Sequence, residues 1–267
     1  MNKKFDCITF FQENFIFEFR YNVLKDFVDC FVICESIFDH KGNKKKINFK
    51  FKNYFDKTKI KYFVLEHSIK KENSPWKNQA IQREYLLKQL SFVDQEDYIF
   101  FSDPDEIPNP KILNSFELKK KYGIFMQKCF NYKFNLFNPY ESPWEGTRVS
   151  KKKDLKSIDY MRQKILSKNL NYKFWRFDKE KDVEVIMDGG WHFNNIADAN
   201  YISKKLKTFA HSEFANDRYS SVNTIEKKIH EKVDLFERGH KYKQVELDKS
   251  FPKYLIENKP YYKEFIL

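Results

Sequence analysis

The strongest constraint on the fold is an alternation between short runs that are apolar at every position and longer stretches with apolar residues at helical spacing. The runs cover residues 5–11, 30–34, 62–65 and 98–101, and the helical stretches lie at about 15–27 and 76–92. Strands that are apolar throughout are buried on both faces of a sheet, and helices supply the cover. The sequence therefore predicts an α/β fold with a mostly parallel central sheet flanked by helices.

The second half of the chain is less regular. Its apolar patterns predict strands at 124–130, 183–187 and 191–193, and helices near 153–168, 198–210 and 224–237. No change of composition marks a linker, and 6 Gly and 8 Pro leave little room for one. We therefore expect a single domain over residues 1–267.

The net charge of +12 comes almost wholly from lysine, since only 7 of the 50 basic residues are arginine. Specific phosphate and base recognition favours the planar fork of arginine. The lysine triplets at 44–46, 119–121 and 151–153 are spread along the chain and predict solvated faces rather than one basic stripe. A Lys-rich nucleic-acid-binding protein remains an alternative class, but we expect no nucleic-acid partner.

Four cysteines and the hydropathy pattern bear on the compartment. Cys7, Cys30, Cys34 and Cys129 lie in apolar runs without the close spacing and histidines of a zinc site, so we expect free thiols in a reducing, cytoplasmic setting. No window approaches 18 uninterrupted apolar residues, so we expect no membrane span. Peripheral contact with a membrane stays open.

The most informative motif is YIFFSDPDEIPNP at 98–110, where an apolar strand runs into Asp103, Asp105 and Glu106. Ligands of open α/β sheets bind at the carboxyl ends of the strands. Carboxylate oxygens there suit Mg²⁺ or Mn²⁺ bridging to a diphosphate. The alternative is an acidic turn in which Asp103 caps the following segment.

Two further motifs carry candidate residues. In DGGWHFN at 188–194, paired glycines adjoin Trp191, whose flat ring can stack on a sugar or base, and His192, which can bind a metal or accept a proton. The alternative is a tight hairpin with a core tryptophan and a locally bonded histidine. In FAHSEF at 209–214, His211 lies two residues from Glu213, which on its own suggests a surface pair.

Taken together, these motifs resemble glycosyltransferase family 17, whose best-known animal members add the bisecting N-acetylglucosamine to N-glycans. The resemblance spans about residues 5–240. Its motifs, in order, are FDCITFFQE, FVICES, WKNQAIQR, FFSDPDEIPNP, GGWHFNNI, KLKTFAHSEF and KVDLFERG. SDPDEIP followed by GGWHF is the most specific part.

The resemblance implies a GT-A-like fold and an inverting transfer from a UDP-sugar, with N-acetylglucosamine as the family's sugar. It implies Mn²⁺ or Mg²⁺ as cofactor, with the family's Asp-x-Asp at Asp103 and Asp105. His192 is a further candidate ligand that would complete the metal shell. The resemblance also places donor binding at Glu35, Arg83, Asp103 and Trp191. We expect a local acceptor such as a glycan or glycolipid rather than a mature N-glycan.

The chemistry of an inverting transfer requires two kinds of help. Negative charge builds on the departing diphosphate, which a metal neutralises, and a base must take the proton of the acceptor hydroxyl. Glu106, Asp188 and Glu213 are candidates for that base, and the sequence does not rank them. A different metal-dependent phosphotransferase or nuclease, and a catalytically silent sugar-nucleotide binder, remain alternatives.

If both motifs serve one reaction, they must converge at the carboxyl edge of the sheet, although about 85 residues separate them. We therefore expect His192 to point into the same cleft as Asp105, with Trp191 close by.

Overall fold

The computed structural model describes residues 2–208 and 216–267. The strands there are β1 (Lys4–Phe10), β2 (Cys30–Ser36), β3 (Ile60–Leu65), β4 (Tyr98–Ser102), β5 (Glu106–Pro108), β6 (Tyr122–Asn131), β7 (Leu136–Phe137), β8 (Trp144–Lys151), β9 (Val183–Asn194) and β10 (Lys243–Gln244). The α-helices are α1 (Asn14–Leu24), α2 (Pro75–Lys88), α3 (Pro110–Asn114), α4 (Ile158–Lys164), α5 (Ala199–Thr208), α6 (Asp217–Ser220), α7 (Val222–Glu231) and α8 (Lys253–Glu257).

The first half of the chain forms a parallel block in the order β3-β2-β1-β4. Cys7 of β1 pairs with Val32 of β2 on one side and with Phe101 of β4 on the other. All four strands therefore end at the same edge, where residues that follow β1 and β4 meet. That edge is where an α/β sheet places its ligands.

The whole sheet is mixed, which corrects the expectation of a mostly parallel one. β8 runs antiparallel to both β4 and β6, whereas β9 runs parallel to β6 on its other edge. β5 pairs antiparallel with β9, and β7 pairs antiparallel with β6 and β10. The chain between β6 and β8 is short and contains β7, so it cannot hold the crossover helix that a parallel return needs.

Helices cover both faces of the parallel block because successive strand residues point to opposite sides. Ile8 and Phe10 of β1 lie in one apolar cluster with Phe17 and Phe19 of α1. Cys7, which precedes Ile8 and points to the opposite face, lies in a second cluster with Leu86 of α2 and strand residues Val32 and Cys34. The predicted parallel sheet flanked by helices is therefore present in this half.

Several predicted boundaries shift. The helix expected at 153–168 is the shorter α4, whose first turn is capped by Ser157 accepting from the Tyr160 N–H. The helix expected at 224–237 ends at Glu231, because Lys232 adopts a left-handed conformation with φ of 59°. The helix expected at 198–210 is observed as Ala199–Thr208, and its last two predicted residues lie outside the described residues.

The two strands expected at 183–187 and 191–193 are one strand, β9, interrupted by a bulge. The register against β6 shifts between Phe125 and Gln127, and Gly190 has a φ of 133°. A Cβ at Gly190 would lie 2.1 Å from the Ile107 carbonyl oxygen. The paired glycines therefore serve a close backbone approach within a sheet rather than a hairpin turn.

Within residues 2–208 and 216–267, no helix is both long and apolar enough to cross a membrane. All four cysteines are free and buried.

Candidate active site

The carboxyl ends of β1 and β4 border a cavity of about 420 Å³. The cavity is lined by Thr9, Phe11, Glu13, His40, Gln79, Gln82, Asp103, Asp105, Glu141, Trp144, His192, Asn194, Asn195, Lys205 and Arg238, among others. Carboxylates, amides and cations thus surround a space of the size that binds small ligands. This is the edge of the sheet at which the strand-end carboxylates were expected.

Strand pairing brings the two distant motifs together. β5, which follows the Asp-x-Asp directly, pairs antiparallel with β9 so that Glu106 stands opposite His192. The Phe193 N–H also donates to the Asp105 carbonyl oxygen at 2.8 Å. The backbone ladder therefore holds the Asp-x-Asp segment beside the end of β9 without any ligand.

An arginine from α4 joins two of the three acidic residues. Arg162 donates at 2.7 Å to Asp103 Oδ2 and at 2.7 Å to Glu106 Oε1. Burial alone would lower the pKa of Arg162, but the two carboxylates outweigh it and raise the pKa. Burial alone would raise the pKa of Asp103, yet Arg162 and Arg83 hold it below its ordinary value. Asp103 is therefore held in its ionised form, and Arg162 places a positive charge beside both carboxylates.

Asp105 faces two other nitrogen groups. Its Oδ1 lies 3.5 Å from His192 Nε2, and its Oδ2 lies 3.5 Å from Lys205 Nζ of α5. Burial would raise the pKa of Asp105, but Lys205 and His192 reverse the effect and lower it. The carboxylate is thus held in its ionised form, in a position to bind a cation.

The His192 ring is fixed by two neighbours. The indole of Trp144 packs against it, with ring centroids 4.7 Å apart, and Cys129 Sγ lies 3.7 Å from Nδ1. Burial would lower the pKa of His192, but Cys129 and Asp105 together raise it above its ordinary value. Because Nδ1 faces the sulfur, Nε2 is the nitrogen that points towards Asp105.

The family model of glycosyltransferase family 17 matches residues 1–266. The chain belongs to glycosyltransferase family 17. It is also similar, at 9% identity and a TM-score of 0.29, to a solved glycosyltransferase described as involved in the glycosylation of the major capsid of PBCV-1. That similarity covers 68% of this chain and 80% of the other. No curated protein matches the sequence.

Membership in glycosyltransferase family 17 makes the protein a transferase that takes a sugar donor and an acceptor. The family match therefore favours a glycosyltransferase over the nucleic-acid-binding protein and the nuclease, two alternatives that the composition and the carboxylates had left open.

Of the residues that the family resemblance singled out, Asp103, Asp105 and His192 line the cavity. The expected proximity of Asp105 and His192 is observed. Arg83 lies behind Asp103, with Nη2 4.0 Å from Oδ1, and its Nη1 donates to Asp159 Oδ1 of α4 at 2.9 Å. It therefore supports the Asp103 position from within the protein.

Trp191 does not lie beside Asp105, contrary to expectation. Adjacent residues of a strand point to opposite faces, so placing His192 in the cavity turns Trp191 away from it. The indole is buried, stacks on Phe193, and donates from Nε1 to the Ser250 carbonyl at 3.1 Å. Asp188, at the bulge with a φ of 50°, lines the same separate groove as Trp191. Neither residue faces the candidate active site.

Two other candidates have clear structural partners. Glu35 is buried and accepts hydrogen bonds from Lys45, the backbone of Asn48 and Phe49, and Tyr62, so it anchors the loop after β2. Glu106 is also buried and accepts from the Trp144 indole at 2.7 Å as well as from Arg162. These contacts favour a positioning role for both. Glu213 and His211 lie outside the described residues.

Sequence analysis missed the residues that surround Asp105 and Glu106, namely Trp144, Arg162 and Lys205. Trp144 and Arg162 lie in stretches without a chemical motif, and only the packing of β8 and α4 brings Trp144 to the cavity and Arg162 to Asp103 and Glu106. Lys205 opens the family motif KLKTFAHSEF, which was the one available signal. Glu13 lies at the end of FDCITFFQE and was likewise not singled out.

The donor set at Asp105 fits a divalent cation. Two ligands bound at about 2.1 Å can lie up to about 4.2 Å apart, so the 3.5 Å between Oδ1 and Nε2 is compatible with one ion. No group of three or more His, Cys, Asp and Glu side chains in the described ranges is arranged to hold a metal. Two protein ligands are nevertheless sufficient for an ion that takes its remaining ligands from substrate phosphates and water, as Mg²⁺ commonly does.

Proposed function

We propose that the protein is a metal-dependent inverting glycosyltransferase that moves a sugar from a UDP-sugar to a glycan or glycolipid acceptor. N-acetylglucosamine is the sugar favoured by the family resemblance. The observation that carries the proposal is the meeting of Asp105 and His192, 3.5 Å apart, in a cavity at the carboxyl edge of the sheet. We assign Mn²⁺ or Mg²⁺ to these two side chains.

When bound, the ion would neutralise charge on the departing diphosphate, which is worth several kcal/mol in such reactions. The chain's own cations act in the same direction. Arg162 lies 2.7 Å from Asp103, and Lys205, which lines the cavity, lies 3.5 Å from Asp105. Both place positive charge beside the carboxylates that would face the diphosphate. Asp103, already paired with Arg162, orients that arginine rather than serving as the main ligand.

Among the described carboxylates, Glu13 best fits the base that accepts the proton of the acceptor hydroxyl. It lines the cavity, and burial raises its pKa despite the nearby Lys205 and two backbone N–H donors. A carboxylate with a raised pKa is a better proton acceptor near neutral pH. Glu106 is committed to Arg162 and Trp144, and Asp188 lies in another groove.

The proposal is tested by measuring the binding of UDP and UDP-N-acetylglucosamine by calorimetry and thermal shift, with Mn²⁺ and with EDTA. A ligand present at about 100 times its dissociation constant stabilises a protein by about 2.7 kcal/mol. We expect this stabilisation with Mn²⁺ and its loss in EDTA, because without the ion the diphosphate would lie against the ionised carboxylate of Asp105. Equal UDP affinity in both conditions contradicts the metal assignment. Stabilisation by other nucleotide sugars but not by UDP-sugars contradicts the proposal that the donor is a UDP-sugar.

A further inference from the structure

An exposed aromatic segment lies away from the cavity, between α4 and β9. We call residues 172–181 the aromatic loop. The exposed fraction is 79% for Phe174, 53% for Trp175 and 89% for Phe177. Contiguous exposed apolar side chains of this size mark interaction sites on soluble proteins.

The backbone of the aromatic loop is held in place by hydrogen bonds. The Arg176 N–H donates to the Lys173 carbonyl at 3.0 Å, and the Lys179 N–H donates to the Arg176 carbonyl at 3.1 Å. The ammonium of Lys181 donates to the Lys173 carbonyl at 2.7 Å and to the Phe174 carbonyl at 3.2 Å. These bonds fix a turn from which the aromatic rings project, so a partner would meet a prearranged surface.

Basic side chains surround the rings. Residues 168–181 contain five basic and two acidic side chains, a net charge of +3. Both acidic groups already have basic partners, since Asp178 pairs with Arg176 at 2.7 Å and Glu180 lies 3.8 Å from Lys121. The Lys173 ammonium lies 4.9 Å from the Trp175 ring centroid, beside the exposed apolar surface. The positive charge is therefore available to an anionic partner.

We propose that the aromatic loop docks onto the surface of an anionic lipid bilayer. Phe174, Trp175 and Phe177 enter the interface, while Lys173 and neighbouring basic groups meet the lipid phosphates. Aromatic rings favour the depth of the headgroups, and lysine and arginine are attracted by anionic lipid. Phe174 and Phe177 offer no hydrogen bonds, so the loop suits a lipid surface better than a sugar. The inference does not depend on the proposed function.

The test is co-sedimentation of the full chain with vesicles of phosphatidylcholine alone, or with about 30% phosphatidylserine. We expect binding to the anionic vesicles that weakens as salt rises. Replacing Phe177→Ser is expected to weaken binding by at least about tenfold, because it removes one inserted ring. The matched control is Tyr261→Ser, which removes an aromatic ring of 65% exposure elsewhere and leaves binding unchanged.

A second measurement locates the contact. Trp175 fluorescence should shift to shorter wavelength on addition of anionic vesicles and be quenched by brominated lipid. The measurement is made in a Trp76→Phe background, because the Trp76 side chain is 49% exposed and would also report on lipid. The shift should be absent when Trp175→Phe is added to that background. Thermal unfolding of each variant in buffer checks that its fold is retained.

The proposal is overturned if the wild-type chain fails to bind anionic vesicles, or if Phe177→Ser and Tyr261→Ser behave alike. It is also overturned if Phe177→Ser abolishes self-association or binding to a soluble polysaccharide while vesicle binding is unaffected. Donor binding, measured without vesicles, should be the same in Phe177→Ser and wild type. Failure of docking is therefore distinguishable from failure of the proposed function.

Discussion

At the scale of single residues, Asp105 is the position on which the candidate site depends. Its two carboxylate oxygens face different nitrogen groups, the His192 imidazole on one side and the Lys205 ammonium on the other. Both groups lower the pKa of the carboxylate, so it stays ionised. Its negative charge can then attract an incoming metal ion. The shape of the side chain and its charge can therefore be tested separately.

We predict that Asp105→Asn folds but loses at least about 10²-fold in sugar transfer or donor hydrolysis, because the amide keeps the shape and removes the ligand charge. The control is Asp217→Asn, at a side chain that is 91% exposed. Activity would be measured with UDP-N-acetylglucosamine and Mn²⁺, with circular dichroism as the check on folding. Wild-type turnover in a folded Asp105→Asn would count against the metal role, and an unfolded variant would make the carboxylate structural.

A second residue makes stability depend on pH. Burial lowers the pKa of His40 to about 4, whereas an unfolded histidine titrates near 6.5. Between these values the unfolded chain binds a proton at His40 and the folded chain does not, so this contribution to stability is complete above about pH 6.5 and is lost as pH falls towards 4. The linked free energy is on the order of 3 kcal/mol.

We therefore predict that wild type loses stability relative to His40→Gln as the pH is lowered from about 6.5 to about 4. Urea unfolding of both proteins across that range measures the difference. His192, whose pKa is raised, acts in the opposite direction, but it is present in both proteins and cancels in the comparison. If the difference in unfolding free energy between the two proteins stayed constant with pH, the pKa of His40 would be the same in the folded and unfolded chains, and the prediction would be wrong.

At the scale of elements, the pairing of β5 with β9 decides the site. The ladder sets Glu106 opposite His192 and Pro108 opposite Gly190. The close approach at Gly190 leaves no space for a side chain, so the bulge in β9 and the position of the Asp-x-Asp are linked.

We predict that Gly190→Ala lowers the unfolding free energy by at least about 2 kcal/mol, because the new Cβ would meet the Ile107 carbonyl and the residue would keep an unfavourable φ. Gly239→Ala is the matched control. It also has a positive φ, of 80°, but no atom lies within 4 Å of the added Cβ, so it should cost only the backbone strain. Urea unfolding compares the two variants. Equal losses of unfolding free energy would mean that the backbone at Ile107 moves away from the new Cβ without cost.

At the scale of the whole molecule, two halves of the chain build one sheet in different ways. The parallel block buries its strands between helices on both faces, and the second half extends the sheet through β8, which runs antiparallel to both β4 and β6. The four cysteines lie inside these packed strands, and none is bonded to another.

We predict that thiol titration of the denatured, unreduced protein finds four free thiols. The native protein should react slowly, since burial raises the pKa of Cys30 to about 11 and of Cys34 to about 12 and the thiolate is the reactive form. Titration after full reduction provides the reference count. Fewer than four thiols before reduction would reveal a disulfide and contradict the expected reducing compartment.

Sequence reasoning located the strands and helices of the first half because their signals are local. Apolar runs and helical spacing predicted β1, α1, β2, α2 and β4, and the carboxylates after β4 predicted the edge that holds the cavity. The meeting of Asp105 and His192 also followed, since both motifs had to reach the same edge. Periodicity and strand-end chemistry are properties of neighbouring residues, so they can be seen before the chain folds.

Only the tertiary structure decided which side chains share the cavity. Trp191 and His192 are adjacent, yet the register of β9 turns them to opposite faces, and no local pattern states which one faces the ligand. Arg162 and Trp144 reach the acidic cluster through packing of α4 and β8, far from any motif. Long-range strand register and the pairing of buried charges are set by the whole fold, because each depends on residues that lie far apart in sequence and become neighbours only when the sheet is complete.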